Sequence, residues 1–385
     1  MTKPLNISTD SAPRTLIIGV TTPLNRTFDT DSYFAEFTNL VKTNGTPYEA
    51  ELLVKLRTID PGYFFGKGKL VELKAFVEEH KIRQVIVSEI LTAQQERNLS
   101  TYLHCDITDR TRLILEIFEK SAHSAEGKAQ VAIAKLKFEK SRLAGKGVHL
   151  SQQRKVRGQI GGGGETLKER ETRHIEGSIN QLRRQLDKVQ QARETQRKTR
   201  LNNNIPHICL IGYTNAGKST ILNTLTKSDV LAEDKLFATL DTTTRKLFIN
   251  SKSKGIISDT VGFIQQLPHT LIEAFKSTLS ELQYADLLLH VVDISDSNWQ
   301  RHIDVVKTIL ADLQVDKPML YVFNKSDRLP DTAHLEALVA NYEPHVFTNA
   351  ITRQGLAPLI EFLEQWHTAP QEEVETEKDA ESFLE

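Results

Sequence analysis

The stretch "IGYTNAGKST", residues 211–220, decides how the rest of the chain is read. It runs Gly212, four residues, then Gly217, Lys218 and Ser219, with the apolar run "HICLIG" leading into it and a helix-like run following it. This is the pattern of a phosphate loop. Its glycines let the backbone turn so that N–H groups face phosphate oxygens, its lysine neutralises the β- and γ-phosphates, and its serine hydroxyl reaches magnesium. A helix starting at the lysine adds the positive end of its dipole. The predicted phosphate-binding residues of this stretch are Gly212, Tyr213, Thr214, Asn215, Ala216, Gly217, Lys218, Ser219 and Thr220.

Downstream, "GIISDTVGF" puts Asp259 at the end of a β-rich run, where a carboxylate reaches magnesium through water. Thr260 and Val261 lead to Gly262, whose N–H is placed to meet a γ-phosphate. Between the two boxes, "LFATLDTTTR" brings Phe237, Ala238, Thr239, Leu240 and Asp241 in a segment read as a loop. Thr239 is the predicted second protein ligand of magnesium, a contact that exists only when the γ-phosphate is present. The tetrapeptide "NKSD" gives Asn324, Lys325 and Asp327, and a carboxylate there accepts two hydrogen bonds from guanine that adenine has no donors to make. "FTNAITRQG" then places Asn349 and Ala350, the latter with a backbone N–H for guanine O6. The catalytic group is unknown from sequence: Phe263 occupies the position where a water-orienting glutamine is usual, and Gln265 and Gln266 are offset by two or three residues. Slow intrinsic hydrolysis is expected.

Outward from these boxes, the 385 residues exceed what one core usually covers, and four regions are read. Residues 1–120 alternate β-rich and helix-like runs, predicting a small α/β domain of largely parallel strands. Residues 121–204 predict an antiparallel coiled-coil hairpin, because Ile175, Ile179, Leu182, Leu186 and Val189 recur at steps of four and three while "AGKGVHLSQQRKVRGQIGGGGET" forms a Gly-rich tip. Residues 205–367 predict a mostly parallel sheet with helices on both faces, and residues 368–385 an acidic disordered tail. The net charge of -1 conceals an asymmetry: residues 121–200 hold 19 Lys/Arg against 8 Asp/Glu, whereas 368–385 hold 7 acids against one lysine. A basic block in an otherwise acidic chain is the footprint of a polyanion, with Lys146, Arg154, Lys155 and Arg157 as the predicted RNA contacts.

No apolar window is long enough to span a membrane and no signal core opens the chain, so cytoplasm is the expected location. Cys105 and Cys209 have no metal-type spacing and read as buried thiols, and His104, His123, His149 and His174 form no metal pattern. "FFGKGKL", residues 64–70, reads equally as a turn into a helix or an anion loop.

Taken in order, the boxes resemble those of the translation-factor-like GTPases of the Era and Obg group. The whole chain is more closely similar to the HflX family of ribosome-associated GTPases, through "FFGKGKL", "GGGGETLKERETRHIEGSINQLRRQL", "FATLDTTTR" and above all "DTVGFIQQLPHTLIEAF". The resemblance implies a monomer that uses magnesium and GTP or GDP. It also implies binding to the large ribosomal subunit and its RNA, splitting or rescue of stalled or inactive ribosomes under stress, and stimulation of hydrolysis by ribosomal particles. Two departures stand out: the tip reads "GQIGGGGETLKER" where the family usually has G-x-R-G-P-G-E-T-Q-L-E, and Asn349 stands where serine is usual before Ala350. Two other readings stay open, an RNA-dependent ATPase and a non-hydrolysing anti-association factor.

Overall fold

The computed structural model describes residues 14–23, 25, 29–143, 167–226, 236–266, 268, 271, 279–329 and 332–367. The predicted RNA contacts Lys146, Arg154, Lys155 and Arg157 and the acidic stretch 368–385 lie outside the described residues.

The apolar strand β1 (Thr15–Thr21) is buried along its whole length because it lies inside a sheet covered on both faces. The sheet has the order β2-β1-β3-β4, with β2 (Ala50–Lys55), β3 (Gln84–Val87) and β4 (Asp106–Thr108) all parallel to their neighbours. Parallel neighbours need crossovers, supplied by α1 (Thr30–Asn44), α2 (Lys67–Glu79) and α3 (Ala93–Leu103). In "FFGKGKL", Gly66 caps α2, Phe64 and Phe65 are buried, and Lys69 pairs with Glu72 one turn on. Helix α4 (Arg110–Ser121), capped by the Asp109 carboxylate, leads into α5 (Ala125–Leu143).

Helix α5 and the 36-residue α6 (Leu167–Asn202) form the predicted hairpin. Its antiparallel sense follows from two ion pairs, Lys140 with Glu176 at 2.6 Å toward the tip and Arg193 with Glu126 at 2.7 Å at the base. Ile133, Leu143, Ile175 and Ile179 are buried between the helices, flanked by Leu182 and Leu186, so the expected seam is the packing face.

The second sheet has six strands in the order β10-β9-β8-β5-β7-β6. Strands β5 (His207–Gly212), β7 (Lys252–Asp259), β8 (Leu287–Asp293), β9 (Met319–Asn324) and β10 (His345–Phe347) are parallel, and β6 (Thr243–Ile249) runs antiparallel at the edge. Around it lie α7 (Lys218–Thr226), α8 (Trp299–Asp312), α9 (Thr332–Val339) and α10 (Ala357–Gln365).

Each sheet has a core of its own on one face, and a further core lies between them. Ile17, Phe37 and Phe118 from the first region share one buried cluster with Val131 of the hairpin and with Cys209, Ile211 and Phe263 of the second sheet. Across this seam, Arg110 is fully buried and pairs with Glu36 at 2.5 Å. It also donates to the carbonyl of Gln265 at 2.9 Å and lies over the Tyr33 ring. Removing one partner strands the other charge in the interior, so Arg110→Ala is expected to lower unfolding free energy by about 3–5 kcal/mol in urea titrations. A loss no larger than that of an ordinary surface substitution would mean the pair does not hold the seam.

Two histidines of the second sheet are buried and neutral. Burial pulls His207 down to about 4, assisted by the Arg200 and Arg197 charges, and burial pulls His290 down to about 3. The unfolded chain protonates them near the ordinary 6.5, so their contribution to stability is full above that pH and is lost as pH falls toward 4. Unfolding free energies from urea titrations across pH 7 to 4.5 should show this decline, and His207→Asn should reduce its slope by at most about 1.4 kcal/mol per pH unit.

Candidate functional site

The carboxyl ends of β5, β7, β8 and β9 meet at one edge of the six-stranded sheet, where loops are free to bind a ligand. The loop after β5 turns through Asn215 and Gly217, both at positive φ, and α7 begins at Lys218. At Gly217, with φ +100°, a Cβ would overlap the amide of Asn324, so only glycine fits. The loop borders a cavity of about 50 Å³ lined by Thr214, Asn215, Gly217, Lys218, Ser219 and Thr220, and from other segments by Phe237, Ala238, Thr239, Thr260 and Gly262. Lys218 Nζ donates to the carbonyls of Gly212 at 3.2 Å and Tyr213 at 2.9 Å. Burial lowers its pKa to about 8, with Asp259 acting in the other direction. The Thr214 hydroxyl is buried at this cavity with no hydrogen-bond partner among the described residues, which suits a phosphate oxygen.

Three oxygens converge beside the lysine. Ser219 Oγ lies 2.7 Å from Thr239 Oγ1 and donates to Asp259 Oδ2 at 2.5 Å. Burial raises the pKa of Asp259, opposed by Lys218 and by bonds from Ser219, Thr239 and the Thr260 amide. Two hydroxyls and one carboxylate, all hard donors, fit magnesium, which prefers oxygen ligands and keeps several waters.

A second cavity of about 420 Å³ adjoins the first, sharing Asn215, Gly217 and Thr220 with it. It is lined further by Asp293, Asn324, Lys325, Asp327, Asn349 and Ala350. Asp327 is exposed on its wall, a carboxylate available to a base. Lys325 Nζ reaches Asn215 O at 2.8 Å and Asp293 Oδ2 at 2.6 Å, laying its stem across the space between the loops. Asn324 acts as a strut, donating to Ala216 O at 2.9 Å and accepting from Ala350 N at 3.0 Å. The Ala350 amide, expected to meet guanine O6, donates to Asn324 Oδ1 in this structure.

Four residues expected at the phosphates have side chains elsewhere. Leu240 and Val261 are buried in the shared core, because apolar groups gain more there than at a charged ligand. Tyr213 turns into the seam: its hydroxyl donates to Glu36 Oε2 and accepts from Gln265 N at 2.7 Å, and its ring stacks on His302 at 3.8 Å. Asp241 accepts from the amides of His123 at 2.8 Å and Ser124 at 2.7 Å.

Phe263 is buried, and its backbone joins the phosphate loop, accepting from Thr214 N at 2.8 Å and donating to Gly212 O at 3.2 Å. Neither offset glutamine lines the phosphate cavity. The backbone of Gln265 is held by Tyr213 and Arg110, and Gln266 accepts from the Tyr33 hydroxyl at 3.0 Å. Glu36 and Arg110, which position this segment, were not found from sequence; they lie 74 residues apart and neither belongs to a motif.

Comparison with known proteins accounts for the three regions. Residues 31–119 match the family described as GTP-binding GTPase N-terminal, 121–200 the GTP-binding GTPase Middle Region, and 207–325 the 50S ribosome-binding GTPase family. A GTPase HflX from Caldanaerobacter subterraneus subsp. tengcongensis is 44% identical over 333 residues, covering 86% of this chain and 76% of that protein. The GTPase HflX of Escherichia coli K12 is 39% identical over 332 residues, covering 85% and 77%. A crystal structure of SsGBP in complex with GDP is 25% identical, with a TM-score of 0.49 over 91% of this chain and 98% of that one. With this identity spread over the greater part of both chains, the protein belongs to the HflX family of P-loop GTPases, enzymes that hydrolyse GTP.

Proposed function

We propose that this GTPase acts in the cytoplasm, as a monomer, on the large ribosomal subunit, and couples GTP binding and hydrolysis to splitting or rescue of stalled or inactive ribosomes. The observation that carries the nucleotide half is the meeting of Ser219, Thr239 and Asp259 beside Lys218. In this reading Ser219, Thr239 and, through water, Asp259 would hold magnesium, and the ion would supply positive charge beside the β- and γ-phosphates. Backbone amides of residues 214–219 surround the phosphates, Lys218 draws charge from them, and the Gly262 amide meets the γ-phosphate. Asp327 accepts from guanine, with the Lys325 stem across the base and Asn324 and Asn349 shaping the pocket.

Among the described residues no glutamine lines the phosphate cavity, and Phe263 joins the phosphate loop to the segment that follows. Turnover by the free protein is therefore slow, and a partner orders or completes the site. The ribosomal half is supported by the row of exposed bases on α6, Arg170, Arg173, Arg183, Arg184 and Lys188 among them, and by the 50S ribosome-binding description of the matching family. Such a helix neutralises RNA phosphates along a line. The predicted contacts Lys146, Arg154, Lys155 and Arg157 would extend that row.

Steady-state GTP hydrolysis, measured alone and with purified large ribosomal subunits, tests the proposal directly. The subunit should accelerate turnover by at least tenfold, on the order of what completing a GTPase site supplies. A variant lacking residues 145–165 should lose most of that response. Equal turnover with and without subunits would overturn the ribosomal assignment.

Base recognition has its own test. Asp327→Asn should shift preference from GTP to XTP by about 100-fold or more, because its amide offers a donor where guanine offers donors too. Competition binding with GTP, XTP and ATP reads the outcome, and unchanged preference would remove Asp327 from the base site.

A further inference from the structure

The segment that carries Thr239 is tied along its length to the rest of the protein. Leu236 N donates to Thr43 Oγ1 at 3.3 Å, and Phe237 packs edge-to-face on Phe118, with ring centroids 4.7 Å apart. Asp241 accepts from the amides of His123 and Ser124 and from Ser124 Oγ at 2.5 Å, where α5 begins. Ser124 Oγ in turn accepts from Gly127 N at 2.9 Å, closing the first turn of that helix. Next along, Thr242 Oγ1 accepts from Arg193 of α6 at 3.4 Å, and Arg193 pairs with Glu126 of α5. Both limbs of the hairpin are thus anchored at their base to residues 241 and 242. Two residues before Asp241, Thr239 meets Ser219 and lies among the groups that fit magnesium.

We propose that residues 236–242 form a clasp between the nucleotide and the hairpin, with Asp241 as its positioning residue. The proposal rests on the reading of Thr239 as a ligand of magnesium when the γ-phosphate is present. A loop held by Asp241 at the α5 N-terminus presents Thr239 to the ion in advance, so ordering entropy is removed from GTP binding and not from GDP binding. Thermodynamic reciprocity then requires the converse: GTP holds the carboxylate against the base of the hairpin, and a partner that steadies the hairpin raises affinity for GTP by the same factor. Gly127 carries independent weight, since a Cβ there would collide with Asp241 Oδ1. Glycine costs helix stability inside α5, and the close approach of the carboxylate explains its presence.

The test uses the full chain with Mg2+, comparing affinity for GDP and for a non-hydrolysable GTP analogue. Amide exchange at residues 123–128 is read in both states. In the wild type these amides should be better protected with the analogue than with GDP. Asp241→Ala should lower the ratio of analogue to GDP affinity about tenfold, a typical coupling between linked sites, and should abolish the nucleotide-dependent difference in exchange. Gly127→Ala should do the same while improving the helix, which separates lost coupling from lost folding. If both variants keep the wild-type ratio while Thr239→Ala lowers it, the magnesium reading stands and the clasp is overturned. If Thr239→Ala also leaves the ratio unchanged, the magnesium reading fails and the clasp falls with it.

Discussion

A guanidinium buried at the junction of two sheets is the constraint around which the molecule is organised. Arg110 has no exposure to water, so its charge is tolerable only with a carboxylate beside it and carbonyl oxygen within reach. Glu36 supplies the first and Gln265 the second. Because Glu36 also accepts from Tyr213, one polar cluster joins a helix of the first region, the phosphate loop and the segment after Asp259. Such a cluster tolerates little displacement, since each lost partner leaves a buried group unpaired. The burial of Tyr213 and the neighbouring Glu36 charge push its phenol far up, so it remains a neutral donor.

This arrangement changes how the nucleotide site is understood. Within the P-loop region the segments around Thr239 and Gly262 are held by Ser219 and by backbone bonds between Phe263 and the phosphate loop, and contacts from outside that region add to these. Here the first packs through Phe237 on Phe118, and the second is held through Gln265 and Gln266 by Arg110, Tyr213 and Tyr33. The first region and the hairpin thereby touch the segments that border the nucleotide cavity. Among the described residues no glutamine lines the phosphate cavity, and the site is in this way connected to surfaces far from the nucleotide.

How much of this was legible beforehand varies with the range of the interaction. The phosphate loop, the Asp259 box and "NKSD" stand out in the sequence because a ligand of fixed chemistry imposes residue types at fixed local spacing. The hairpin was readable because the steps between Ile175, Ile179, Leu182 and Leu186 match the period of a packed helix. Tyr213 and Asp241 each lie within a ligand motif while the side chain serves a distant segment, which local spacing does not signal. Glu36 and Arg110 left no local signal at all.

The sequence by itself determined the class of chemistry, the order of the regions and the elements that carry the boxes, since periodicity and motif spacing are properties of neighbouring residues. Only the tertiary structure decided that the regions share a buried cluster beside their own cores, that Arg110 and Glu36 hold the seam, and that Asp241 sits at the base of the hairpin. Those pairings join residues some 70 to 120 positions apart. Their partners are selected by packing and by the cost of leaving a buried charge or donor unmet, and both exist only once the chain has folded.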